Sequence, residues 1–280
     1  MDWVNNLIFF SGLIVLLLAI LVSRKLWGNS SSSNHSYLSD TVVLHQFHRG
    51  HYAPSMSAFV VKLETYLRMV KIPYMNVHEM KTGPKGKAPW IEYNGETICD
   101  SSFIIEYLNK KFGMDLNKDL NTSERATARA IQKMVEENTY WAVLLTRWVY
   151  NRDRTSRTLT HIPWFFVWLI DRRTRWSTYY HGIGRHTPKE VTQILTDDVQ
   201  ALSDILGEKK YMFGDVPTEV DCAVFGQLTQ LLWCVPDCDA KHFIKDNCPN
   251  LVDYCERIKN QFWPDWEECT TKGGKAAATK

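Results

Sequence analysis

The chain has 280 residues, 45% of them apolar and 23% charged, with 33 basic against 31 acidic side chains for a formal charge of +2. Such a length holds one or two domains and such a composition buries a sizeable core, which excludes a disordered chain, a collagen and a disulfide-held miniprotein. The near-neutral balance gives no electrostatic case for nucleic acid as a partner.

Residues 7–22 read LIFFSGLIVLLLAILV without a charge, and extended back to Trp3 the run has 20 residues. At 1.5 Å per residue that is about 30 Å of helix, enough to cross a hydrocarbon core. Trp3 and Trp27 bracket it as interfacial anchors, and Arg24 and Lys25 follow it while only Asp2 precedes it. The positive-inside rule then predicts a single-pass anchor with the bulk of the chain in the cytosol and the membrane as a partner through residues 7–22. A cleaved signal peptide would need a basic start and small residues at the exit. A wholly buried N-terminal helix is the third alternative. The anchor and its flanks take residues 1–28, and a linker rich in Ser and Asn takes 29–40.

Residues 41–47 (TVVLHQF) predict a strand. After a loop, Ser55 or Ser57 can cap a helix over 58–70, whose apolar positions Phe59, Leu63, Tyr66, Leu67 and Val70 step by three and four. Residues 74–77 predict a second strand, and 81–87 (KTGPKGK) a loop. Residues 88–93 and 96–99 predict a hairpin around Asn94-Gly95, and 100–112 an amphipathic helix with a polar start. The order βαββα over residues 41–118 is compact and mixed.

The remainder to residue 263 reads helical. Helices are expected over 123–149, with Ser123 as a candidate cap, and over 189–206 behind Pro188. Two more are expected over 220–233 and 249–262, with a tail at 264–280. Between Arg147 and Lys189 lie nine basic residues against Asp153 and Asp171, a net of +7, around the aromatic run Pro163-Trp164-Phe165-Phe166-Val167-Trp168-Leu169-Ile170. Eight residues cannot span a bilayer. Aromatics flanked by Arg suit an interfacial contact on an anionic leaflet, so Pro163–Ile170 is a candidate second membrane contact. The bland alternative packs the aromatics on neighbouring helices. Seven cysteines without a CxxC pair indicate reduced thiols. His45, His48 and His51 lack ligand spacing, so no metal site is expected.

Three signatures, in order and correctly spaced, resemble the glutathione transferase fold, an α/β thioredoxin-like domain (41–118) followed by an all-α domain (119–263). They are Gly86-Lys87-Ala88-Pro89-Trp90, Asp100-Ser101 with Ile104 and Tyr107-Leu108, and Tyr211-Met212-Phe213-Gly214-Asp215 with Pro217-Thr218, Asp221 and Val224-Phe225. A narrower set, LHQFxR, PSMSAFVVKLETYLRM, GKAPWIEYNGE, KMVEENTYW, HGIGR and YCERIKNQFWPDW, is similar to the failed axon connections family, which itself resembles metaxins and nematode cadmium-responsive proteins. That resemblance implies a membrane-anchored, transferase-like protein linked to axon development, working mainly as an adaptor. A glutathione-dependent conjugating enzyme and a metaxin-like component of the outer mitochondrial membrane remain alternatives. Protein partners are not identified by it.

The resemblance also implies glutathione as ligand, with a cis-proline at Ala88-Pro89 offering main-chain groups to the tripeptide. Ser101 and its helix start would hold a carboxylate, and Asp100 an ammonium. Ser57 falls where cysteine-type relatives carry their catalytic thiol, and Val60 where a resolving cysteine would be. Disulfide exchange is therefore not expected, and a serine-type site with Ser57 or Tyr52 as hydroxyl is the catalytic alternative. A plain helix cap is the structural role open to Ser57. Thr218 and Asp221 are implied as the structural capping pair of the helical domain.

Overall fold

The computed structural model describes residues 39–157 and 163–271. The apolar run at 7–22, the linker up to residue 38 and the tail from residue 272 lie outside the described residues. Among the described residues, no helix is long and apolar enough to cross a membrane.

Four strands, β1 (Val42–Gln46), β2 (Tyr74–His78), β3 (Trp90–Tyr93) and β4 (Glu96–Cys99), form one sheet in the order β2-β1-β3-β4. β1 and β2 are parallel, and the other two pairings are antiparallel. Helices α1 (Ala58–Val70) and α2 (Ser101–Phe112) cover one face, where Val42 and Leu44 meet Leu63, Leu67, Ile104 and Leu108. On the other face the loop between β2 and β3 lies so close that a Cβ on Gly83 would stand 2.8 Å from the Trp90 side chain. The β3–β4 turn is Asn94-Gly95, both at positive φ (47° and 85°), as a two-residue hairpin twisting with its strands requires.

The expected helix over 123–149 is a composite. Helix α3 (Thr122–Lys133) runs into a π-helical stretch (Met134–Thr139), then α4 (Tyr140–Leu145) and a second π stretch (Thr146–Tyr150). Hydrophobic spacing carries no signal for such wide turns. Asn138 and Thr139, in the first of them, donate to the Asp198 carboxylate. The cap of α3 is Asn121 and not Ser123: Asn121 accepts from the Glu124 N–H, and Glu124 accepts from the Asn121 N–H.

There follow α5 (Arg152–Thr155), α6 (Trp164–His181), α7 (Pro188–Leu206), α8 (Glu219–Trp233), α9 (Asp239–Asn247) and α10 (Pro249–Phe262). Helix α8 is buried along nearly its whole length. At its start Thr218 occupies the cap position and Asp221 reaches back. The Asp221 carboxylate accepts from the Thr218 N–H and hydroxyl, the Met212 N–H and the Tyr254 hydroxyl. Four donors on one buried carboxylate tie α8, α10 and the preceding turn together.

The two halves join where α8 crosses α1. A Cβ on Gly226 would stand 2.5 Å from the Ala58 carbonyl oxygen and 3.2 Å from the Lys62 nitrogen, so only glycine admits this approach. A buried ionic chain completes the joint. Arg49 donates twice to Glu64, at 2.7 and 2.9 Å, and Arg68 donates twice to Asp265 while lying 3.9 Å over the Trp263 ring. The tail expected from residue 264 is therefore folded as far as Thr271. Trp266 and Cys269 are buried, and the Thr271 N–H donates to the Gly50 carbonyl. Trp263 and Trp266 flanking Asp265 give this segment both core anchors and a charge partner for Arg68.

Two outcomes follow from the joint. Gly226→Ala gains roughly 1 kcal/mol of helix propensity, but its new methyl meets a backbone oxygen, a clash of the kind that costs about 1–3 kcal/mol. A lower urea midpoint is expected, and an unchanged one would mean that the helices separate cheaply. Burial pushes Glu64 up, but the Arg49 charge and hydrogen bonds outweigh it and hold its pKa below 4.5; against the same burial cost, hydrogen bonding and charge from Arg68 hold Asp265 below 3.8. A depressed folded pKa gives stability that is full above the unfolded value and lost as pH falls through the folded one. Stability should fall on acidification below about pH 4.5, the ordinary glutamate value. Glu64→Gln should cost about 3–5 kcal/mol at neutral pH, because it takes the carboxylate from a buried guanidinium. It should also shrink the acid limb in urea melts run from pH 7 to 3.

Candidate functional site at one end of the sheet

Strand register brings the predicted site residues to one edge. His45 pairs with Trp90, and Trp90 with Cys99. The end of β1, the start of β3 and the end of β4 thus coincide. Pro89 lies one step before Trp90 and Asp100 one step after Cys99, so these two segments, on the two arms of the β3–β4 hairpin, are neighbours across the ladder. The loop that leaves β1 at the same end carries Tyr52 and Ser57 into α1.

The Ala88-Pro89 peptide is cis. Such a bond is almost confined to X-Pro sequences and turns main-chain groups away from the ladder. Ala88 is half-buried and Pro89 buried. Asp100 caps α2, its carboxylate accepting the Ser102 N–H at 3.0 Å, and it does so at φ 79°, a conformation L side chains rarely adopt. Ser101 opens the helix and is buried, while Asp100 is exposed. The Ser102 hydroxyl is already engaged. It accepts from Lys62 Nζ at 2.9 Å and from Gln132 Nε2 at 3.0 Å, and Lys62 pairs with Glu136 at 2.5 Å. This buried cluster binds α1, α2 and the first π stretch beside the Asp100-Ser101 corner.

Ser57 occupies the cap position of α1 but makes no side-chain cap bond. Instead the Ser57 N–H donates to the Ser55 hydroxyl at 3.2 Å. The half-buried Ser57 hydroxyl therefore takes no part in holding the helix start. Val60, at the resolving position, is fully buried. Tyr52 is half-buried, edge-on to His51 with ring centroids 4.4 Å apart. The three histidines go separate ways: His45 stacks on Trp90 at 3.6 Å and bonds Glu79, while His48 stacks on His78. Burial lowers the His45 pKa against the opposing pull of Glu79. Among the described residues no group of three or more His, Cys, Asp or Glu is placed to hold a metal.

Sequence reasoning missed Arg147, placing it in the basic surface stretch. It is buried at 2% exposure. Its guanidinium donates to the Met56 carbonyl at 2.9 Å and to Gln230 Oε1 at 2.8 Å, and Gln230 in turn donates to the Ser55 carbonyl. Burial lowers its pKa, with Cys234 and Tyr140 pulling the other way, and it joins none of the ion pairs between described residues. A cation thus lies directly behind the loop that delivers Ser57, adding to the positive end of the α1 dipole. Only the apolar spacing around Arg147 hinted at this, since its neighbours Val143 and Leu145 belong to the same core. Thr218 and Asp221 sit about two turns or more along α8 from Gln230, at 3.6 residues per turn, and serve the fold.

A thioredoxin-type sheet with a cis-proline at its edge, joined to a helical domain, defines the glutathione transferase fold, and the chain belongs to the glutathione S-transferase family. The family's N-terminal domain profile matches residues 58–155 and its C-terminal domain profile residues 195–258. The isoprene-epoxide glutathione S-transferase of Rhodococcus sp. (strain AD45) is 30% identical over 228 residues, covering 75% of this chain and 94% of that one. Within the family the chain is related to Failed axon connections of Drosophila melanogaster and to the metaxins. It is 33% identical to the former over 253 residues, 83% of this chain, and spans 60% of that relative's length. Metaxin-2 of Mus musculus is 25% identical over 76% of this chain and 84% of its own. A Methylobacterium radiotolerans glutathione S-transferase, solved with glutathione sulfonate, shares the fold at a TM-score of 0.56 and 18% identity, over 81% of this chain and 94% of that one.

The buried pair beside the site gives a measurable outcome. Lys62→Met should cost about 3–5 kcal/mol by leaving Glu136 buried and without its ammonium, and Lys62→Met/Glu136→Leu should regain most of that. A double variant no more stable than the single one, in a urea double-mutant cycle, would show that packing rather than the ion pair holds this corner.

Proposed function

We propose that the chain is a membrane-anchored glutathione-transferase-like protein that acts mainly as an adaptor or binding module in axon development. In this reading its cleft holds glutathione and turns over little or none of it. The observation that supports it is a sheet edge suited to a tripeptide at which Ser57 stands in the position of the catalytic thiol. The cis Ala88-Pro89 bond offers main-chain groups, Ser101 and the N–H groups at the α2 start suit a carboxylate, and the exposed Asp100 suits an ammonium. At the start of α1, where a nucleophilic thiol would gain from the helix dipole, stands Ser57. Burial pushes the Cys234 and Cys269 thiols up to about 11 and those of Cys222 and Cys255 higher than usual, so none of these replaces it.

The axon role is supported by the relationship to Failed axon connections. The anchor and cytosolic orientation are supported by residues 7–22 and the Arg24-Lys25 that follow. A serine-type conjugating transferase is the second reading, favoured by a Ser57 hydroxyl not used as a cap and backed by the Arg147 cation. A metaxin-like component of the outer mitochondrial membrane is the third, favoured by the coverage of metaxin-2.

The test is retention of the full chain on glutathione-agarose, with turnover of a generic electrophile measured in parallel. Retention without turnover is expected, and Ser101→Ala should weaken retention about tenfold, the value of one hydrogen bond to a charged group. Turnover abolished by Ser57→Ala would replace the adaptor with the enzyme. Neither retention nor turnover would remove glutathione from the cleft. Imaging the tagged chain with and without residues 1–28 tests the anchor and identifies the membrane.

A further inference from the structure

Helix α6 is built the wrong way round for a helix that faces water. Its buried residues are Val167, Asp171, Thr174 and Thr178, a narrow stripe with one aliphatic side chain. At 100° per residue the opposite face is Phe165, Leu169, Trp176 and Tyr180, bordered by Arg172 on one side and Arg173 on the other. All six are exposed, Trp176 at 65% and Tyr180 at 66%, and Trp164 at the helix start reaches 79%. A contiguous aromatic face of this kind on a soluble surface marks a contact with something else.

Charge selects the occupant. The one carboxylate of α6, Asp171, is turned inward and accepts from Arg175 Nε at 3.0 Å. The outward face carries only positive charge; at its border Arg172 lies 5.2 Å from the Trp168 centroid, and Arg185, in the turn that follows the helix, lies 5.0 Å from that of Tyr179. Beside the helix an open hollow of about 270 Å³ is lined by Tyr150, Arg152, Asp153, Arg154 and Arg175, where Arg152 pairs with Asp153 and Asp171, and Arg175 with Asp171. A second copy of the chain on the same face would bring Arg172 and Arg173 against their own kind with no acid to receive them. Trp and Tyr rings with an apolar body and a polar tip, bordered by Arg, suit the headgroup layer of a bilayer. The charges in the middle of α6 forbid it to span.

We propose that α6 lies flat in the headgroup layer of an anionic phospholipid leaflet, with Phe165, Leu169, Trp176 and Tyr180 inserted and Arg172 and Arg173 on lipid phosphates. This contact needs neither glutathione nor the N-terminal anchor. It orients the folded body on the membrane rather than merely keeping it nearby.

The test places the photo-crosslinker p-benzoylphenylalanine at Leu169, and in a second preparation at the exposed Lys110 of α2, in the full chain. Each is irradiated with phosphatidylcholine vesicles with or without phosphatidylserine. Lipid adducts are expected at 169 and not at 110, and more with phosphatidylserine than without. Arg172→Gln/Arg173→Gln should lower the yield at 169 about tenfold or more, the contribution of two basic residues at an anionic surface. Both arginines are exposed, so the fold survives this change; Phe165→Ser/Trp176→Ser is the companion variant that tests insertion and should likewise lose the adduct. Equal lipid labelling at 169 and 110 would mean that tethering alone brings lipid near and would overturn the proposal. So would indifference to phosphatidylserine, or adducts at 169 that join two copies of the chain. Loss of the residue 1–28 anchor alone would leave the labelling at 169 in place, which separates this contact from the anchor.

Discussion

The approach of α8 to α1 at Gly226 is the constraint on which the rest depends. With no side chain between them, the two helices meet backbone to backbone at the first turn of α1. Three consequences follow from that distance. Gln230 and Cys234, further along α8, reach the Ser55 carbonyl, and Arg147 reaches that of Met56. Lys62 is pressed into a buried pair with Glu136 beside α2. The C-terminal segment closes behind α1 through Trp263, whose indole N–H donates to Thr65. The loop that delivers Ser57 is thus fixed by the helical half of the molecule, although it belongs in sequence to the sheet half.

The division between what was legible in sequence and what was not follows the range of the interactions. Helix α1 has its expected bounds because its apolar spacing is local, and Lys71, at φ 56°, ends it in the left-handed conformation. The β3–β4 hairpin is as expected because Asn94-Gly95 is a turn with one common solution. The cis-proline corner and Asp221 were reached through motif resemblance, since nothing in composition points to them. Asn121 rather than Ser123 is the cap of α3, and the local signal for it is Glu124 three residues on, which completes a capping box. Arg147 was placed on the surface because charge counts treat every arginine as solvated; its burial depends on Met56 and Gln230, 91 and 83 residues away. The segment from 264 read as tail because its order comes from Arg68, nearly 200 residues earlier.

In the proposed reading the site would keep the parts of a glutathione cleft that bind and depart from the pattern at the part that reacts. The cis-proline and the capped helix start are fold properties, held by the β3–β4 register and by the Lys62 cluster, and they do not depend on what stands at residue 57. A reactive group there is different. It needs a thiol or hydroxyl whose ionised form is favoured, and thiolate is far nearer to hand than alkoxide at neutral pH. Ser57 has the helix dipole and Arg147 behind its loop, but no neighbouring base is placed to take its proton among the bonds of the described loop. Polarisation of that kind stabilises a bound thiolate brought by the ligand more readily than it creates an alkoxide, so the same field that would serve a transferase also serves a receptor for the tripeptide.

The proposed membrane attachment would bear on this cleft through geometry rather than chemistry. An N-terminal tether alone would not specify which way the cleft faces. A flat contact through α6 would specify it. It would fix the helical domain against the leaflet by a helix whose one acid, Asp171, is buried, already paired with Arg175 and near Arg152, so no carboxylate on that helix would repel the anionic surface. An adaptor gains most from such an arrangement, because a partner arriving in the plane of the membrane then meets one defined face of the body.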